Sequence, residues 1–441
     1  MGIETITILL FASLFVLIFI GVPLAFALGA VTIFFSIFLW GPESLFLLPT
    51  RTCEVMFNYI LIALPLFIFM GGILEKSGIA DDMYHAMHIW MGPLRGGLVV
   101  GTVMICVAFA AMSGVSAAAV ITMGTLALPA MLKRQYNKHI AMGAIMAGGA
   151  LGQLIPPSLL LILYGAMSSL SVGKLFLGGV LPGLLLAGLF IIYTLVRSAL
   201  NKNFCPAMPK KERENISTRE KIISIRGIIL PVLLIIAVLG SIFTGIATPT
   251  EAAGIGATGS ILCGLIYRKL SINLIKSVCI QTMKATCMVA WIMIGSLMFV
   301  SLYFTVGGDN FVNGLLVGSG MNRWVVMIII QFVLIVLGCM MDPGGVVMLC
   351  TPIFIPIITA LGFDPLWFGV LFIINLEMAY LTPPFGYNLF YMKAIVPAQT
   401  ASMIDIYKAV IPFLLIDVIG LALCMVFPEI ITWLPNSVIG N

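Results

Sequence analysis

The chain has 441 residues, of which 61% are hydrophobic and only 9% charged, with a formal net charge of +5. No water-soluble domain covers so much apolar surface with so few charges, which excludes a soluble globular protein. The nine cysteines are scattered without a CxxC pair, so neither a disulfide framework nor a metal site is indicated.

Apolar runs long enough to cross a bilayer core recur along the whole length and predict an all-α polytopic membrane protein. The N-terminus lacks a basic n-region and a small-residue cleavage site, so it reads as a first span. In chain order the expected spans are 3–20, 22–40 and 55–74. "DDMYHAMHIWMG", with His85 and His88, follows as an amphipathic interfacial helix. An apolar hairpin over 98–132 comes next, then spans 140–166 and 175–198. A basic linker over 201–225 divides the chain. Beyond it lie spans 226–247, 250–267 and 286–306, a second hairpin over 324–361, and spans 366–393 and 409–434. Each hairpin breaks near its middle, at "MSGVSAAA" (Met112–Ala119) and "MDPGGVVM" (Met341–Met348). Such breaks predict segments that enter the membrane and return on the same side. Non-helical backbone at that depth is tolerated only inside protein or along a cavity.

The positive-inside rule sets orientation. With the linker cytoplasmic, all but Arg51, Lys174 and Arg323 of the 22 Lys and Arg residues fall on the cytoplasmic side. Both termini then lie outside. The basic residues thus serve orientation, and the pI of about 8.7 carries no implication of nucleic-acid binding.

One constant shift carries Pro129 onto Pro356, Pro156 onto Pro383 and Pro157 onto Pro384. Near the start of each half a proline ends the first span, at Pro23 and Pro249. Residues 1–200 and 226–441 therefore read as two repeats, each of five crossings and one re-entrant hairpin. An odd number of crossings inverts the second. "KRQYNKH" after the first hairpin is basic, whereas "ALGFDPL" after the second is not, as inversion requires. Paired broken helices in inverted repeats are the mark of a secondary transporter with midplane sites.

Proline lacks an N–H and clashes with the preceding turn, so "IPP" and "TPP" each open a helix at membrane depth. The freed carbonyls suit a cation such as Na⁺, and the helix start beyond each break suits an anion. Ser113, Gly114, Gly152, Gln153 and the carbonyls of Ile155 and Pro156 are the candidates for one Na⁺ site. Asp342, Gly344, Gly345, Thr382, Pro383 and Gly386 are those for the other. Ser113, Ser116, Asn375, Glu377 and Asn388 are candidates for substrate contact. Each has a structural alternative: small residues also serve helix packing, Asp342 also fits as the cap of a helix starting at Pro343, and Glu377 also fits as an interhelical hydrogen-bonding group. Glu251 in "ATPTEAAG" reads as a helix cap.

"GVSAAAVITMGTLALPAM", "AGGALGQLIPPSLLLILYG", "TGIATPTEAAGIGA", "MMDPGGVVMLCTPIFIPI" and "FGVLFIINLEMAYLTPPFGYNLFYMKAI" resemble the signature segments of the large membrane subunit of TRAP (tripartite ATP-independent periplasmic) transporters, DctM type. The resemblance implies an ion-transporter-superfamily fold with scaffold and transport domains working as an elevator. It also implies Na⁺-driven uptake of an organic acid across the bacterial inner membrane, a separate small four-helix membrane subunit, and a periplasmic substrate-binding protein. H⁺ coupling on the same fold, with Glu377 or Asp342 as carrier, is the alternative. An intramembrane enzyme is disfavoured because no HExxH or GxSxG pattern is present, and a channel because it would need a filter loop and oligomeric symmetry.

Overall fold

The computed structural model describes residues 2–201, 204–209, 217–318, 320–383, 385–397 and 399–439. Pro384 and much of the basic linker lie outside them. The described residues form helices and connections, with no strand among them.

The first two expected spans are α1 (Ile3–Phe19) and α2 (Leu24–Trp40). An unforeseen short helix, α3 (Leu47–Met56), follows. Asn58 accepts a hydrogen bond from the Ile60 amide and starts a 3-10 turn, Tyr59–Ile62, that runs into α4 (Ala63–Lys76). The expected span 55–74 therefore begins and ends later. The amphipathic segment is α5 (Ile79–Met91). The first hairpin is α6 (Gly97–Ser113) and α7 (Ser116–Lys133). The span 140–166 is split into α8 (Lys138–Ala150) and α9 (Leu159–Ser168), and α10 (Val172–Leu200) follows.

The second half opens with α11 (Thr218–Phe243) and α12 (Pro249–Ile266). Thr248 and Glu251 form a reciprocal capping box at the start of α12, as expected of Glu251. The segment expected at 286–306 is a longer helix, α13 (Ile272–Thr305) of 34 residues. At 1.5 Å per residue it measures about 51 Å. Ser271 caps its start, and no proline or glycine interrupts it before Gly295, so the helix continues through polar residues. A short helix, α14 (Gly308–Leu316), precedes the second hairpin, α15 (Arg323–Met340) and α16 (Pro343–Ala360). The span 366–393 is split into α17 (Pro365–Leu381) and α18 (Tyr387–Ile395). The expected span 409–434 is instead two helices, α19 (Met403–Val426) and α20 (Glu429–Val438). Phe427 leaves the helical region at φ −117°, ψ 80°, as the residue before Pro428 must.

Among the described residues, eight helices are long and apolar enough to cross a membrane. They include α7, α15 and α16, which the sequence assigns to hairpins; α1 and α2 are one residue shorter than the shortest of the eight. Length therefore does not separate the helices expected to cross from those expected to re-enter.

Polar residues in this apolar chain mostly punctuate helices. Asn137, Ser158, Ser171, Asn322, Asp364 and Ser402 each accept a backbone amide at a helix start. Helices α2, α4, α12 and α13 pack on one another, with α1 held to α13 by the ring contacts Phe11–Phe299 at 5.4 Å and Phe11–Tyr303 at 5.7 Å. Helices α6 to α10 and α15 to α19 form a second cluster, where Phe413 of α19 meets Phe190 and Tyr193 of α10. The two clusters meet where α4 packs on α6 and α9, and α13 on α16.

Candidate functional site

The tip of the first hairpin lies against the first helix break. A Cβ built on Gly114, whose φ is +61°, would fall 2.5 Å from the Pro157 carbonyl oxygen. Gly152 lies beside Val115, where a Cβ would meet the backbone at 3.4 Å, an ordinary contact. At Gly114 only glycine permits the approach. The Ser113 hydroxyl donates to the Phe109 carbonyl at 2.9 Å and accepts a long bond from the Val115 amide at 3.4 Å, which leaves one lone pair uncommitted. Ser158 caps α9 and donates to the Gln153 carbonyl. Among the described residues the carbonyls of Ile155 and Pro156 receive no hydrogen bond. Ser113, Gly114, Gly152, Gln153, Ile155 and Pro156 are thus brought together, and none of the six is ionisable. Next to the tip a cavity of about 150 Å³ is lined by Ser113, Val115, Gly71, Glu75 and Gln281.

The second tip repeats the device with different chemistry. Asp342 stands at the N-cap of α16, half-buried. Its carboxylate leans over the Gly344 and Gly345 amides but closes no regular cap bond. A ring of tyrosines, Tyr380, Tyr387 and Tyr391, lies within its field. At the second break the Thr382 hydroxyl donates to the Met378 carbonyl at 2.8 Å, and the Thr382 carbonyl accepts the Gly386 amide at 3.0 Å. That carbonyl is already used, so the cation ligands left at this break are the Thr382 hydroxyl lone pairs and the Pro383 carbonyl. Gly386 sits where a Cβ would meet the Tyr380 carbonyl oxygen at 2.4 Å. A cavity of about 280 Å³ borders Asp342 and Tyr387 on one side and the α1–α2 turn, Gly21 to Ala25, on the other.

Two contacts tie the regions into one cluster. Gln153, at the first break, reaches the Tyr380 hydroxyl just before the second, while its Oε1 stays buried without a hydrogen bond. Ser116 donates to Asn388 Oδ1 at 2.8 Å, and Asn388 Nδ2 donates to the Met146 carbonyl at 2.9 Å. Ser116 and Asn388 are each almost fully buried and turned toward one another, so in this conformation they brace the cluster instead of facing a cavity.

Asn375 and Glu377 are placed elsewhere. Asn375 Nδ2 donates to both the carbonyl and the side-chain oxygen of Gln331 on α15, each at 2.8 Å. Glu377 faces Asp417 of α19 and not Asp342. Asp417 was missed in the sequence, although an acid in the middle of the 24-residue apolar helix α19 is itself a signal. Gln331, Tyr380 and Tyr387 were missed because ordinary polar and aromatic residues gain meaning only from their neighbours.

Residues 11–430 match the family described as "Tripartite ATP-independent periplasmic transporter, DctM component". The chain is 33% identical over 402 residues to the C4-dicarboxylate TRAP transporter large permease protein DctM of Pseudomonas aeruginosa, covering 91% of this chain and 92% of that protein. It is 27% identical over 433 residues to the isethionate TRAP transporter permease protein DctMQ of Oleidesulfovibrio alaskensis, covering 96% of this chain but 65% of that protein. In fold it is similar to the YdaH transporter of Alcanivorax borkumensis, with a TM-score of 0.64, 12% identity, and coverage of 96% of this chain and 99% of that one.

Proposed function

Since this chain belongs to the TRAP transporter family as a DctM-type large permease, we propose that it couples Na⁺ entry to uptake of a small organic acid anion, a carboxylate or a sulfonate, across the bacterial inner membrane. The observation that carries the reading is the pairing of each hairpin tip with a broken helix, the two pairs being joined through Gln153–Tyr380 and Ser116–Asn388. Uncommitted oxygens of Ser113, Ile155 and Pro156 form one Na⁺ site, and Asp342 with Thr382 and Pro383 forms the other. The starts of α9 and α18 present amides toward the cluster for the anion's charge. No Lys or Arg lies at either break, so the anion is held by amides, hydroxyls and neighbouring Na⁺, which lets it leave once Na⁺ departs.

The halves 1–200 and 226–441 act as inverted repeats around this cluster, with both termini periplasmic. The cluster holding the hairpins and broken helices moves as the transport domain of an elevator against the scaffold of α1, α2, α4 and α11 to α13. The partners are a small four-helix membrane subunit and a periplasmic binding protein that delivers substrate. The relative DctMQ, about a third of which lies outside the region matched here, is consistent with a fused small subunit in that protein.

The test is reconstitution in proteoliposomes. Uptake is expected only when the small subunit, the binding protein and external Na⁺ are all present. Uptake by the chain alone refutes the three-part reading. Uptake that survives replacement of Na⁺ by choline at constant pH refutes Na⁺ coupling.

A further inference from the structure

One feature of the membrane interior takes no part in the ion and substrate cluster. Glu377 of α17 and Asp417 of α19 face one another, both with 0% exposure. All four carboxyl oxygens lack a hydrogen-bond donor among the described residues. The site is sealed along α19 by Phe413 and Leu421, one turn to either side of Asp417 and 1% and 8% exposed. Phe413 is in turn covered by Phe190 and Tyr193.

No cation balances the pair. Helices α8, α9, α10, α15, α16, α18 and α20 pack against α17 or α19, and among the described residues none brings a charged group into its field. The charged groups of these helices lie toward their ends, and several are engaged there. Lys138 and His139 pair with Asp405 at 3.1 and 3.2 Å, Lys393 donates to the Ala401 carbonyl, and Arg323 lies over the Phe363 ring at 5.3 Å.

Two ionised carboxylates in such a place face both desolvation and mutual repulsion, and burial without a partner is the costliest arrangement for a charge. A Na⁺ ion would need several more oxygen ligands than the pair supplies. A proton needs only two oxygens, and one O–H···O bond removes the mutual repulsion and leaves a single charge, held by that bond. We infer that Glu377 and Asp417 hold a resident proton between them, a binding site separate from the hairpin-tip cluster that bonds α17 to α19. Because the pair is sealed, the proton stays through the transport cycle and is not the coupling ion. The inference stands apart from the Na⁺ reading, since its readout is the carboxyl group itself.

Infrared spectroscopy of the whole protein in lipid tests it. A C=O stretch of protonated carboxyl is expected to persist from about pH 5 to about pH 8. It should shift on isotopic labelling of either aspartate or glutamate, and should move in both E377Q and D417N. The labelling arm uses wild-type protein, so it stands if a variant fails to fold. D417N, which keeps shape and hydrogen bonding, should retain uptake with a Na⁺ half-saturation within about twofold of wild type. Absence of the band, its loss across that pH range, or its indifference to both variants overturns the inference. So does a tenfold or larger change in Na⁺ half-saturation in D417N, which would make the pair an ion site.

Discussion

The two hairpin-tip regions share a backbone device and differ in everything placed on it. The first carries hydroxyls, an amide and bare carbonyls, with no carboxylate within it, and its tip is tightly buried: Ser113 is 5% and Ser116 1% exposed. The second carries Asp342 and three tyrosines, its break is half-open at Thr382 and Pro383, and Phe385 is exposed. A cation at the first tip finds no carboxylate among the proposed ligands, Glu75 lying along the adjoining cavity, whereas one at Asp342 meets a carboxylate directly. The first site therefore depends on a nearby anion more than the second does. On the proposed function, coupling of ion to substrate would follow from that asymmetry, the anion having most to offer the site without a carboxylate ligand.

Six substitutions test this contrast, in order of falling effect. D342N removes the charge that makes the second site different. A charged hydrogen-bonding partner contributes about 1.5–3 kcal/mol, roughly 10- to 150-fold in affinity. The Na⁺ half-saturation of uptake should rise by that factor while the protein remains folded; an unchanged Na⁺ curve would reduce Asp342 to a helix cap.

The glycines beside the two tips differ in what they touch. A Cβ on Gly71 would lie 2.7 Å from the Ser113 Cα, which is backbone and cannot yield. One on Gly345 would meet the end of the Leu24 side chain at 2.0 Å, which can rotate away. Overpacking costs about 1–3 kcal/mol. G71A should fall at the upper end and G345A at the lower, as read by thermal stability and by uptake rate. Equal effects would show that the first tip is no more rigidly seated than the second.

The prolines come next. P156A and P383A each let an opened helix close, restoring a hydrogen bond of about 0.5–1.5 kcal/mol. Stability should hold or rise, and Na⁺ affinity should fall as carbonyls turn back into the helix. Lower stability with an unaltered Na⁺ curve in both variants would assign the prolines to packing. The smallest effect is expected of S113A, which removes one neutral ligand oxygen from the first site. A loss of about 0.5–1.5 kcal/mol, roughly two- to tenfold in Na⁺ half-saturation, should appear with substrate specificity unaltered.

Much of the architecture was legible because membrane burial writes itself into composition. Each expected span contains a helix, both hairpins break where small residues and prolines interrupt them, and the two broken spans open close to Pro156 and Pro383. The misplaced boundaries have local causes. α13 runs far past the apolar segment because helix propensity continues after hydrophobicity ends, and the last span stops early at Pro428. Eleven residues proposed for the two Na⁺ sites sit on glycine, proline or polar interruptions of an apolar run, which is why they could be found; Ile155 was included only for its carbonyl beside Pro156. Asn375 and Glu377 were found by the same signal and belong to other contacts, with Gln331 and Asp417.

By itself, then, the sequence determined where helices lie, where they break and which polar groups are left at membrane depth, because each of these follows from local hydrophobicity, proline geometry and glycine's missing Cβ. Only the tertiary structure decided which polar groups meet. Ser116 spends its hydroxyl on Asn388, Gln153 reaches across to Tyr380, and Glu377 finds an acid in place of a ligand. Those partners lie tens to hundreds of positions apart, and a single helical period says which face a side chain occupies without saying which helix will cover it.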